Sequence, residues 1–154
     1  MNVEWTIEKV LKKGVEMEIK AYNFYKEKAE KATYPGAEKF LTELADEEKV
    51  HRDKFLQAIE NPRAIKIHNI NEEIVDLKIT EYLTKVSLDS ESDYQQILIY
   101  AAQDEKRAHE FYIKIAIKYK STLLGDMLYS FAKDELRHKY VLEKEYDEVI
   151  LKEM

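Results

Sequence analysis

Glu18-Ile19-Lys20-Ala21-Tyr22-Asn23-Phe24-Tyr25 and Glu105-Lys106-Arg107-Ala108-His109-Glu110-Phe111-Tyr112 share the phrase E-x-x-A-x-x-F-Y. Further along, Glu48-Lys49-Val50-His51 and Glu135-Leu136-Arg137-His138 share E-x-x-H. Equivalent positions stand 87 residues apart in every case, 18 with 105, 48 with 135 and 51 with 138. The chain is therefore an internal repeat, and each half supplies two Glu and one His.

Each phrase sits on an apolar stripe of helical period. Ile7, Leu11, Val15, Ala21, Tyr22, Tyr25 and Ala29 mark a first helix from about Val3 to Thr33, ended by Tyr34-Pro35-Gly36. A second begins near Ala37, carries Phe40, Leu41, Leu44 and Phe55, and stops at Asn61-Pro62. The third runs from about Ser92 to Lys120 through Ile97, Leu98, Ala101, Ala108, Tyr112, Ile115 and Tyr119. The fourth, from about Thr122 to Lys152, carries Leu124, Leu128, Phe131 and Leu142. Short loops inside each half predict two antiparallel hairpins. The longer connection, about 61–91, predicts a crossover with a short helix near Asn71 to Thr84. The expected fold is all-α, a single four-helix domain over 1–154.

Composition agrees. Among 154 residues, 3 Gly and 2 Pro are too few for the turns of an all-β domain. No cysteine occurs, which excludes disulfides, thiol catalysis and iron–sulfur centres on this chain. A net charge of −6 argues against nucleic acid or an anionic membrane as partner. No window is apolar enough to span a membrane, and Met1 to Gly14 has neither an apolar run nor a small-residue cleavage site. A cytoplasmic location is the expectation.

The stripes are interrupted where the core should be, by Glu18, by Glu48 with His51, by Glu105, and by Glu135 with His138. A lone carboxylate in an apolar interior costs several kcal/mol or becomes protonated. Four at matching positions need a common cation. In E-x-x-H, residues three apart lie about 60° apart around the helix and point into one small volume. Four carboxylates balance two divalent ions, and a mixed carboxylate and imidazole set suits iron or manganese. Six ligands around two ions leave open positions, which on a redox metal pair means oxygen or peroxide chemistry. His68, in the crossover, and His109, off these stripes, read as ordinary surface or partner residues. Glu47, Asp104 and Asp134 read as solvated helix-face acids, and Tyr25 and Tyr112 either as core aromatics or as groups bonded to the ligands.

These motifs resemble the ferritin-like di-iron carboxylate superfamily, and within it the rubrerythrin and erythrin group. A Glu from each of two helices plus Glu-x-x-His from each of the other two is that superfamily's arrangement. The resemblance covers the four helices and implies a ferritin-like bundle of two hairpins joined by a long crossover. It implies Glu48 and Glu135 as bridging carboxylates, Glu18 and Glu105 as terminal carboxylates, and His51 and His138 as terminal imidazoles, around two iron ions (Fe2+/Fe3+) or manganese. The implied activity is a peroxidase or oxidoreductase that reduces hydrogen peroxide or reacts with dioxygen. Ferroxidase action in iron handling, or a bundle that binds metal only for structure, are the alternatives. Rubrerythrins carry a cysteine-rich rubredoxin domain, and this chain has no cysteine. Electrons would come from an external donor, such as a rubredoxin or a reductase. They also carry a further carboxylate close to the third-helix ligand, whereas Ala108 and His109 stand one turn beyond Glu105 here. The resemblance further implies a homodimer.

Overall fold

The computed structural model describes residues 6–65, 88 and 93–150. These form four α-helices, α1 (Ile7–Glu30), α2 (Ala37–Glu60), α3 (Tyr94–Lys118) and α4 (Leu123–Val149), with a 3-10 turn at Pro62–Ile65 after α2. No strand occurs among the described residues, and this content is compatible with a four-helix bundle. The helix expected near Asn71 to Thr84, His68 and most of the crossover lie outside the described residues.

The helices begin where a side chain can cap them. Thr6, with extended backbone, accepts from the Lys9 amide, so α1 starts at Ile7 and not at Val3. Asp93 accepts from the Gln96 amide while Gln96 bonds back to the Asp93 amide, a reciprocal box that starts α3 at Tyr94 and not at Ser92. The two caps, 6 and 93, are again 87 residues apart. The first helix ends at Glu30, earlier than Thr33, with Lys31 as its cap residue and the Lys31 amide bonded back to the Glu27 carbonyl. Gly36, at φ +83°, supplies the left-handed residue that opens α2. In the second half Ser121 takes the left-handed conformation instead, at φ 71°.

The chain clusters into two compact units, the first holding α1 and α2, the second α3 and α4, with Thr122–Leu124 grouped with the first. In the first unit the helices run antiparallel, with Glu18 beside His51 and, one turn earlier on α1, Gly14 beside Phe55 one turn later on α2. Ile7, Leu11, Tyr25, Leu41 and Phe55 are all buried here. In the second unit Tyr94 donates to Glu145 at 2.6 Å, Gln95 donates to Tyr146 at 3.1 Å, and Tyr112 stacks edge-on to Phe131 at 6.2 Å. Contacts that move forward along α3 move backward along α4, which makes this pair antiparallel too. Exposed pairs such as Glu8–Lys12 and Glu27–Lys31 add only a few tenths of a kcal/mol each.

Gly14 is required by packing. A Cβ there would stand 2.6–2.8 Å from the ring of Phe55, which is fully buried. The second half places Ala101 and Leu142 at the equivalent positions, both buried, so a larger residue on one helix is matched by a smaller one on the other. Gly14→Ala should gain ~1 kcal/mol of helix propensity but lose ~1–3 kcal/mol to overpacking, a net loss of about 1 kcal/mol. In a Phe55→Leu background the same change should stabilise. Urea denaturation of the four proteins checks this, and the same sign in both backgrounds would refute the contact.

Candidate metal centre

The six singled-out residues are among the most buried in the chain. Glu18, Glu48, His51, Glu105, Glu135 and His138 are between 0 and 3% exposed. Helix periodicity puts them there. On α1, Leu11, Glu18 and Tyr25 are spaced by seven, two full turns, and all three are buried, while Val15, Ala21 and Tyr22 flank them half-buried. On α3, Leu98, Glu105 and Tyr112 repeat that register. On α2 the buried run Leu41, Leu44, Glu48, His51, Phe55 matches Leu128, Phe131, Glu135, His138, Leu142 on α4.

In the first unit, one ligand atom from each of Glu18, Glu48 and His51 lies within 4.8 Å of the others, a group that could hold a metal ion. His51 Nδ1 stands 3.5 Å from Glu18 Oε1. In the second unit Glu105, Glu135 and His138 converge likewise within 4.8 Å. His138 Nδ1 is 3.5 Å from Glu105 Oε1 and 3.7 Å from Glu135 Oε1. These separations are wide for hydrogen bonds, whose N–H···O distances run ~2.7–3.2 Å. They suit two atoms bound to one ion, because ligands ~2.1 Å from a metal at angles of ~90–120° lie about 3.0–3.7 Å apart. In both units Nδ1 is the imidazole nitrogen turned toward the carboxylates.

The charges fit as well. Each group contributes two carboxylates and an imidazole, so one divalent ion per group cancels the buried charge. Carboxylate with imidazole suits first-row metals such as iron or manganese better than calcium or magnesium. The donor set thus fits a divalent metal ion, and its residues are Glu18, Glu48 and His51 in one unit, Glu105, Glu135 and His138 in the other.

Other residues behave differently from their sequence reading. His109 is not a plain surface residue. It is half-buried, and its Nδ1 lies 2.7 Å from the Ala132 carbonyl oxygen, tying α3 to α4 one turn beyond Glu105. By contrast, Glu47, Asp104 and Asp134 lie at intermediate burial, and the Asp104 side chain, 48% exposed, stands 3.8 Å from Arg107 on the same helix, as a helix-face acid does. Burial pushes the Tyr100 phenol above its usual range, and the neighbouring Asp104 adds to this. Tyr25 and Tyr112 are buried, each edge-on to the Phe before it, at 5.4 and 5.5 Å. No sequence signal marked His109, because a single helix-to-carbonyl contact leaves no periodic trace.

No protein-family model, curated protein or solved structure matches the chain. The ligand motifs and their burial carry the reading of this site.

Two outcomes test it. Carboxylates held in an apolar interior for a metal weaken the metal-free fold, and replacing buried charges with apolar residues of similar volume is often stabilising by ~1–4 kcal/mol. Metal-free Glu48→Leu and Glu135→Leu proteins should therefore resist urea better than the parent. Adding ferrous or manganous ion at ~100 times its Kd should stabilise the parent by ~2.7 kcal/mol per site and leave the Glu48→Leu/Glu135→Leu protein unchanged. Thermal melts with and without metal read this directly, and equal shifts in both proteins would exclude these ligands.

Proposed function

We propose that the chain is a non-haem di-iron oxidoreductase of ferritin-like architecture, with Glu18, Glu48, His51, Glu105, Glu135 and His138 as the ligands of two metal ions. The observation that carries the reading is the duplication of one buried ligand set at a constant offset, on helices that repeat each other's caps and core. Each half then supplies two carboxylates and one imidazole, and four carboxylates match two divalent ions. Structural metal binding would need no such symmetric pair of mixed carboxylate and imidazole groups.

Bound iron would supply two electrons at open coordination positions, for reduction of hydrogen peroxide or reaction with dioxygen. The protein's part is to hold and shield. On this reading Glu48 and Glu135 would serve as the bridging carboxylates and Glu18 and Glu105 as the terminal ones, and the imidazoles of His51 and His138 would complete the sets without adding charge. Leu11 and Tyr25, two turns to either side of Glu18 on α1, and Leu98 and Tyr112 likewise about Glu105, are themselves buried, so the apolar stripe continues past each carboxylate. Low dielectric around the site strengthens each ligand's hold on a cation. These 154 residues hold no cysteine, so reducing equivalents would enter from a donor outside them, such as a rubredoxin or a reductase.

The test is anaerobic loading with two ferrous ions per chain, followed by mixing with peroxide or with dioxygen and stopped-flow detection of the ferric product. Oxidation should be stoichiometric with bound iron and slowed at least ~10²-fold in Glu48→Gln/Glu135→Gln, the loss expected when a metal's carboxylate ligand or its support is removed. Sustained oxidation of ferrous ion far beyond two per chain would instead assign iron handling. No reaction with either oxidant would leave only structural metal binding.

A further inference from the structure

The internal repeat lets each half serve as a control for the other. In the first unit Phe55 fills the space between α1 and α2, its ring against Gly14, with Val15 beside that glycine. At the equivalent positions the second unit has Leu142, Ala101 and Ala102. Leu replaces a ring and Ala replaces Val, so two side chains shrink while only Gly14 gains a methyl in becoming Ala101. Where the first half is filled, the second is hollow. A groove of about 410 Å³ lies between α3 and α4, floored by Leu98, Ala102 and Leu142 with Ile99 at its side.

The edge of the groove has changed as well. Lys106 lines it where the first half has Ile19, and Lys139 lines it where the first half has Arg52. Because the helices are antiparallel, Lys106 and Lys139 stand toward one end. Asp147 stands toward the other, eight residues or about 12 Å along α4 from Lys139. Glu143 lies between them and meets Lys139 at 2.6 Å. That pair is solvent-facing and weak, so it yields to a stronger competing anion. An apolar floor, a volume in the range of small-molecule sites and a cationic end define an amphiphilic ligand with its negative charge at one end.

We propose that the α3–α4 groove binds a small carboxylic acid with an apolar body, its alkyl chain or ring over Leu98, Ala102 and Leu142 and its carboxylate at Lys106 and Lys139. The site is separate from the metal ligands, and the proposal stands whether or not the chain proves to be an oxidoreductase.

Titration of the intact protein with octanoate and with 3-phenylpropanoate, followed by isothermal calorimetry and by amide NMR shifts, tests it. Saturable binding is expected, with the largest shifts along Leu98–Lys106 and Lys139–Leu142. Neutral 1-octanol should bind at least tenfold more weakly. Lys106→Glu, an exposed change that leaves the core intact, should weaken octanoate at least tenfold. Ala101→Gly/Ala102→Val/Leu142→Phe, which rebuilds the filled packing of the first half, should abolish binding while retaining helical circular dichroism. Absence of saturable binding by either acid, equal affinity for octanol, or unchanged binding by Lys106→Glu would overturn the proposal. So would sedimentation showing that a second copy of the chain covers the groove and that Lys106→Glu releases it.

Discussion

Four carboxylates sit in the apolar interior of this chain, and everything else about it accommodates them. Each would cost several kcal/mol if it were ionised alone in such surroundings, so the fold must gather them with something that cancels their charge. Two imidazoles and the mutual approach of the ligand atoms within each unit show how. The separations near 3.5 Å between His51 and Glu18, and between His138 and Glu105, are those of atoms sharing a cation more than of atoms sharing a proton. A stable fold without a metal would have placed Leu or Ile on these stripes. Glutamate at these positions costs the metal-free fold stability.

The repeat divides constraint from freedom. The buried Glu and His, the caps and the Phe-Tyr pair that follows Glu18 and Glu105 are kept in both halves at one offset. The packing beneath has been reshuffled, Gly14 with Phe55 in one half and Ala101 with Leu142 in the other. Close-packed interiors tolerate such exchanges when total volume is conserved, and record them as cavities when it is not. The groove between α3 and α4 is such a record. The turns have diverged as well. Gly36 provides a left-handed residue in one hairpin and Ser121 in the other, at different points of the repeat.

Most of the candidate site was legible in the residue order because helical geometry is rigid enough to be read at a distance. A spacing of three or seven residues on an α-helix determines direction to within tens of degrees, so Glu48 with His51, or Glu18 with Tyr25, could be assigned to one face from letters alone. Helix ends were less legible. Ser92 and Asp93 are adjacent and both suit a cap, and only the reciprocal bond with Gln96 separates them. His109 was misjudged because its neighbour is a backbone carbonyl of another helix, which carries no periodic mark.

By itself, then, the sequence determined the helical class, the duplication and the identity of six inward-facing ionisable residues, since these depend on local periodicity and on the cost of burying charge. Tertiary structure alone decided which atoms of those residues approach one another and that both imidazoles turn Nδ1 toward the carboxylates. It alone also showed that Phe55 demands a glycine opposite it while Leu142 leaves room beside it. These depend on side-chain rotamers and on the fit between helices distant in the chain, where differences of a few tenths of an ångström separate a packed contact from an open groove.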